Sequence, residues 1–145
     1  MTATTVPTHQ PVEGPPFAGG FVSPDHPTRE RVLTDLRAVL GGSGVVAEPA
    51  ALVAYENDGY MARAKPLAVC LPSTTDQVIS IIRIARHHGL PVTPRGAGTG
   101  LSGGATPIHG GLVIGTARMN RGRSIDAANR RAVVEPGVVN ADLGR

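Results

Sequence analysis

Five glycines fall within nine residues in the stretch Gly96-Ala97-Gly98-Thr99-Gly100-Leu101-Ser102-Gly103-Gly104. Thr93-Pro94-Arg95 precede it and Ala105-Thr106-Pro107 follow. Glycine is used where backbone must take a positive φ or come very close to a ligand. Successive free N–H groups in such a turn make a concave site for an anion, above all a phosphate or pyrophosphate. The hydroxyls of Thr99 and Ser102 add further donors. No acid occurs between Arg95 and Ser124, so nothing in the loop's own sequence repels an anion. Arg95 has two physically sound roles, neutralising phosphate charge or anchoring the loop through backbone carbonyls. These residue types predict a phosphate-cradling loop in a nucleotide cofactor site.

Two well-known phosphate loops can be compared with it. Gly98-x-Gly100-x-x-Gly103 matches the glycine spacing of a dinucleotide-binding Rossmann turn, and Asp126 lies in range of the expected downstream acid. That geometry requires a helix to open at the loop. Here Pro107 and then Gly110-Gly111 break any such helix, and the chain runs into Leu112-Val113-Ile114, a short β-branched run. The order is strand, glycine loop, strand. A Walker-type loop is excluded because no Gly-Lys-Ser/Thr occurs.

The run Pro94 to Ala105, followed by Gly111-Leu112-Val113-Ile114 and Val134-Glu135-Pro136-Gly137-Val138, resembles the flavin domain of the vanillyl-alcohol-oxidase family. Within it, the resemblance is to the branch of glycolate oxidase FAD subunits and D-lactate dehydrogenases. Tyr55-Glu56-Asn57-Asp58-Gly59 and Lys65 to Pro72 share it, so it extends over 50–145. The resemblance implies that the loop holds the pyrophosphate of FAD through its backbone amides. The residues concerned are Pro94, Arg95, Gly96, Ala97, Gly98, Thr99, Gly100, Ser102, Gly103 and Gly104. It also places the Pro136-Gly137 turn near the flavin, although a plain tight turn explains that dipeptide equally. Some relatives carry at the Thr99 position a histidine covalently attached to flavin. A threonine hydroxyl cannot form that bond, so the FAD is expected to be non-covalent.

The resemblance implies an oxidoreductase acting on a small 2-hydroxy acid, glycolate or D-lactate, with partner subunits of an oxidase complex. In that family, carboxylate recognition and the catalytic base come from a later cap domain, so no catalytic residue is named here. The expectation is the N-terminal part of a FAD-binding domain, catalytically silent by itself. Two rivals stand beside it: a truncated product that binds no flavin, and a nicotinamide-binding Rossmann domain, disfavoured by the missing helix.

The elements that must position the loop follow from periodicity. Residues 1–27, rich in Thr, Pro and Gly, read as a disordered leader. The domain is then 28–145. Thr28 opens a helix to Leu40, with Val32, Leu33, Leu36, Val39 and Leu40 as its apolar stripe, ended by Gly41-Gly42. Val45-Val46 is a short strand, Pro49 to Tyr55 a helical turn, and Leu67 to Leu71 a strand. A capping box at Ser73–Asp76 or Thr74–Gln77 opens a second helix, whose core face is read as Val78, Ile79, Ile82 and Ala85, stopping at Gly89. Pro91-Val92-Thr93 leads into the loop. The predicted fold class is α/β (α+β), built on a β–α–β unit with the loop at the carboxyl end of its second strand, where ligands of α/β units sit. Leu112–Ile114, Ser124–Ala128 and Ala132–Glu135 add strands, the last two joined at Asn129-Arg130, and Asn140 caps a new helix.

Composition narrows the remaining options. At 145 residues, with 19 Gly, 13 Pro and no Trp, the chain has room for one domain with a Val/Ile/Leu/Ala core. A net charge of +3 is mild. The arginines of 118–131 lack the aromatic interleaving of a nucleic-acid surface and read as a solvated hairpin that can also attract an anionic cofactor. The lone Cys70 excludes an internal disulfide and reads as a buried, inert thiol. No membrane span or secretion signal is visible, which makes the cytoplasm the expected location. His109 reads as a surface loop residue, and His87-His88 as partners of a helix C-terminus rather than a metal pair. Tyr55 and Asp58 can contact ligand or serve packing and turn formation.

Overall fold

The computed structural model describes residues 26–144. The expected leader lies outside these residues except at its end, where helix α1 (His26–Leu40) begins two residues before Thr28. Val32, Leu33 and Leu36 of its stripe are fully buried. Gly41, at φ +72°, ends the helix, its N–H bonded to the Arg37 carbonyl. This is the left-handed cap that glycine supplies without a Cβ penalty.

A four-stranded sheet follows, in the order β1 (Val45–Val46), β2 (Ala68–Cys70), β4 (Leu112–Gly115), β3 (Val92–Arg95). β2, β4 and β3 are parallel and β1 runs antiparallel at the edge. Side chains alternate across the sheet. Ala68, Cys70, Leu112 and Ile114 join α1 and α3 (Thr75–His87) in one apolar cluster. Val69 and Val113 face the other way, onto Leu52 and Tyr55 from α2 (Pro49–Leu52) and the turn after it. With both faces covered, the strands read as continuous apolar runs instead of alternating ones. Pro94 falls on β3, an edge strand, where a missing donor is tolerated.

Of the two capping boxes, the one at Thr74 forms. Its hydroxyl accepts the Gln77 N–H, while the Gln77 side chain reaches back to the N–H of Ser73. The face of α3 differs from expectation. Ile81 and Ala85 are buried, with Val78 and Ile84 packed beside them, whereas Ile79 and Ile82 are 41% and 49% exposed. Six apolar residues from Val78 to Ala85 make an arc wider than one face, and packing on α1 selects the side that carries Ile84, Ile81, Ala85 and Val78. Cys70 is fully buried, and burial pushes its thiol up to about 12.

The crossover from β3 to β4 carries no helix. Parallel neighbours are commonly joined through one, but here loop 96–111 makes the return, and it contains the glycine run. After β4, β5 (Gly122–Asp126) and β6 (Arg131–Val134) form a separate hairpin, turning at Arg130 with φ +52°. The expected helix at Asn140 is a 3-10 turn, Asn140–Gly144.

Candidate functional site

Two of the loop glycines are dictated by the backbone. Gly98 lies at φ +73° and Gly103 at φ +76°, the left-handed region that side chains disfavour. Gly96, Gly100 and Gly104 lie outside that region, and a Cβ built on any of them meets nothing within 4 Å. The fold itself therefore does not require glycine at these three positions. Their bareness leaves open space along the backbone.

The amides of the loop are unpaired. Among the described residues, no backbone N–H from Gly96 to Gly104 donates to a protein acceptor. Pairing resumes at Ala105, whose N–H goes to Asp58 Oδ2 at 3.2 Å, and at Thr106, whose N–H goes to the Gly103 carbonyl at 3.2 Å. Buried backbone donors are normally paired; these N–H groups, on mostly exposed residues, stay free for solvent or a ligand, and a consecutive row of them free of carboxylates can hold an anion.

Residues 54–60 hold this loop from beneath. Arg95, only 9% exposed, donates from Nη1 to the carbonyls of Asn57 (2.8 Å) and Ala105 (3.4 Å), and from Nη2 to that of Ala54 (3.3 Å). Its guanidinium also lies over the Tyr55 ring, 5.6 Å from the centroid. Of the two roles open to Arg95, the geometry displays the anchor. Gly59 N–H donates to the Gly100 carbonyl at 2.8 Å, and the Tyr60 ring packs at Gly103. Asp58 is 6% exposed and also accepts the Tyr60 N–H at 2.8 Å. That bond foremost, with the one from Ala105, holds its carboxyl below the usual range against the opposing effect of burial.

A cavity of about 690 Å³ adjoins the start of the loop. Gly96, Ala97 and Thr99 line it from the loop, and Pro136 and Gly137 from the turn after β6. The two segments singled out in the sequence therefore meet, and the means is visible. Gly137 N–H bonds the Met119 carbonyl at 2.8 Å, and a Cβ on Gly137 would collide with the Thr116 carbonyl. Thr116, Asn120 and Asn140 add polar groups to the wall that sequence reasoning missed; only their folding against the Pro-Gly turn brings them there. Ser102 and Gly104 are exposed on the loop outside this lining. Pro94 and Arg95 end strand β3, and Pro94 has no N–H to offer.

The other candidates resolve into structural roles. Arg121 and Arg123 pair with Glu135 at 3.0 and 2.9 Å, and Arg121 foremost holds that carboxyl down at about 2. Glu135, just beyond the arginine cluster, supplies its counter-charge. His88 pairs with Asp35 of α1 at 2.9 Å, a link between helices. His109 is exposed at the rim of a second cavity between α1 and the loop's end. No group of metal-ligating side chains occurs among the described residues, and no described helix is long and apolar enough to cross a membrane.

Residues 66–145 match a protein family described as a FAD binding domain. The chain belongs to that family. Glycolate oxidase subunit GlcD of Escherichia coli K12 is 41% identical over 118 residues, which cover 81% of this chain and 24% of the relative. A D-lactate dehydrogenase of Archaeoglobus fulgidus is 41% identical over 80 residues, 55% of this chain and 18% of the relative. Among solved structures, p-cresol methylhydroxylase with substrate bound superposes with a TM-score of 0.74 at 25% identity, over 83% of this chain and 24% of that one. The chain thus spans about a quarter or less of these proteins' lengths. The fold is that of a vanillyl-alcohol-oxidase-type FAD-binding domain, as the loop residues implied, and its relatives are FAD-dependent oxidoreductases.

Proposed function

We propose that residues 28–145 form the first part of the FAD-binding domain of an oxidoreductase that oxidises a small 2-hydroxy acid of the glycolate or D-lactate type. One observation carries the cofactor assignment: the row of unpaired amides from Gly96 to Gly104, with bare glycines at 96, 100 and 104. The donor set fits a pyrophosphate, since it offers many N–H groups and no carboxylate within the loop. Those amides and the hydroxyls of Thr99 and Ser102 would hold the phosphates, with Pro136 and Gly137 walling the adjoining cavity. Arg95 contributes through the loop it anchors. When bound, FAD supplies the hydride-accepting chemistry, and the protein supplies binding and orientation. Thr99 supports non-covalent attachment.

The substrate class is supported by the relatives named for glycolate and D-lactate. The subunit name of the glycolate oxidase relative supports an assembly with partner chains. The test is the full-length protein carrying this segment. It should purify yellow, with flavin absorption bands, and reduce a dye acceptor when given glycolate or D-lactate. A colourless protein that takes up no added FAD would overturn the cofactor assignment. A yellow protein reduced by neither acid would overturn the substrate class alone.

A further inference from the structure

A loop that presents its N–H groups to an anion must dispose of its carbonyls elsewhere. Three carbonyls of this loop are held inside the protein. That of Gly100 accepts the Gly59 N–H at 2.8 Å, that of Gly103 the Thr106 N–H at 3.2 Å, and that of Ala105 the Arg95 guanidinium at 3.4 Å. A trans peptide is planar, with C=O and N–H on opposite edges. Fixing the Gly100 carbonyl toward Gly59 therefore turns the Leu101 N–H the other way. Fixing the Gly103 carbonyl does the same for the N–H of Gly104.

Gly59 brings the first of these about from outside the loop, whereas Thr106 holds the second within it. Gly59 approaches so closely that a Cβ on it would lie 2.8 Å from both the Gly100 oxygen and Leu101 Cδ2. Asp58 accepts the Ala105 N–H at 3.2 Å, which ends the row of unpaired amides at Gly104. Its other oxygen accepts the Tyr60 N–H at 2.8 Å, fixing the carboxylate in that orientation. A nearly buried carboxylate beside an anion site is unfavourable unless it is tied down by hydrogen bonds, and here both oxygens are.

We infer that Asp58 and Gly59 are positioning residues for the cofactor's phosphates, and that the amide of Leu101 is the donor that Gly59 aims. Asp58 acts through the loop's end and through Gly59, by drawing the Ala105 N–H inward and fixing Tyr60 beside Gly59. This rests on the reading that residues 96–104 hold FAD.

The experiment uses the full-length protein, with FAD titrated into the apoprotein and 31P NMR recorded on the bound pyrophosphate. Asp58→Asn removes the charge and one of the two acceptors. FAD should bind about tenfold more weakly, and the pyrophosphate resonances should shift because donors to it have moved. Gly59→Ala, which pushes on the Gly100 carbonyl directly, should shift the same resonances. An unchanged Kd in Asp58→Asn would overturn the inference. So would a weaker Kd with unmoved resonances, since that loss would come from general destabilisation. Should Asp58→Asn not fold, Asp58→Glu carries the same test with the same outcomes, because it keeps the charge but displaces the oxygens. A parent protein that holds no FAD would instead overturn the functional reading beneath.

Discussion

The guanidinium of Arg95 fills the space that a side chain on Gly98 would need. A Cβ there would collide with the guanidinium nitrogens and carbon, while the same guanidinium is committed to three backbone carbonyls. Gly98 and Arg95 are thus one device: the bare residue admits the anchor, and the anchor shapes the loop.

Gly98→Val should abolish FAD retention in the full-length protein. Valine suffers at φ +73°, where an ordinary side chain costs about 1–2 kcal/mol, and it also displaces Arg95. Gly103→Val meets only the Tyr60 ring, at 3.5 Å, so its effect comes from φ +76° alone and should be the milder of the two on stability. Flavin absorbance per polypeptide after gel filtration reads the result. Parental flavin content in both variants would show that the loop's conformation does not matter to the cofactor.

Arg95→Lys separates anchoring from phosphate neutralisation. Lysine keeps the charge but cannot serve three carbonyls with a planar fork. A fully buried carbonyl left unpaired costs about 1–3 kcal/mol, an upper bound for each of these part-buried bonds. The melting temperature of the FAD-free protein should therefore drop by several degrees. A variant with parental apoprotein stability and reduced FAD affinity would instead assign the guanidinium to the phosphates.

Much of this was legible in the sequence because its signals are local. The glycine run stood out as backbone for positive φ or close approach to a ligand, and Leu112-Val113-Ile114 as a short strand. The clamp from Asp58 to Ala105 spans 47 residues and follows no period, so the sequence left Asp58 open between ligand contact and a simple Asp58-Gly59 turn. On α3, Ile79, Ile81 and Ile82 are chemically alike, and only the position of α1 decides which is buried. Thr116, Asn120 and Asn140 carry no motif, and they reach the cavity because Gly137 fits against the Thr116 and Met119 carbonyls.

Gly100→Ala should divide binding from folding. Its Cβ meets nothing in the protein and its φ lies outside the left-handed region. Replacing such a glycine stabilises a fold by about 0.4–1 kcal/mol through the unfolded chain. Denaturant midpoints of the apoprotein should hold or rise, while FAD affinity falls at least tenfold because the methyl occupies the approach to the amides. Unchanged affinity would mean that the open space over Gly100 is not where the cofactor lies.

Glu135 gives the stability an acid limb. Its carboxyl falls from an ordinary 4.5 to about 2, chiefly through the Arg121 side chain. A lowered folded-state value stabilises fully above 4.5, and the contribution is lost as pH falls from there through about 2. Glu135→Gln should therefore lower the urea midpoint at pH 7, and the gap from the parent should narrow as pH is taken below 4.5. A gap that stays constant down to pH 3 would show that the Arg121 and Arg123 pairs do not respond to this carboxyl.

Thr99 decides the fate of the flavin on denaturation. Covalent attachment at this position needs an imidazole nitrogen, and a threonine hydroxyl supplies none. The described histidine side chains stand elsewhere: His87 and His88 at the end of α3, His109 exposed near the β4 end of the loop. Cys70, the chain's one cysteine, is fully buried, and its thiol is held protonated by burial. No imidazole or reactive thiol described near the amides is therefore available for a lasting bond to the ring. Precipitating the full-length protein with acid should leave a white pellet and put all the flavin in the supernatant, measured by its absorbance. Flavin that stays with the polypeptide through acid and a denaturing gel would establish a covalent link and remove Thr99 as the basis for the assignment.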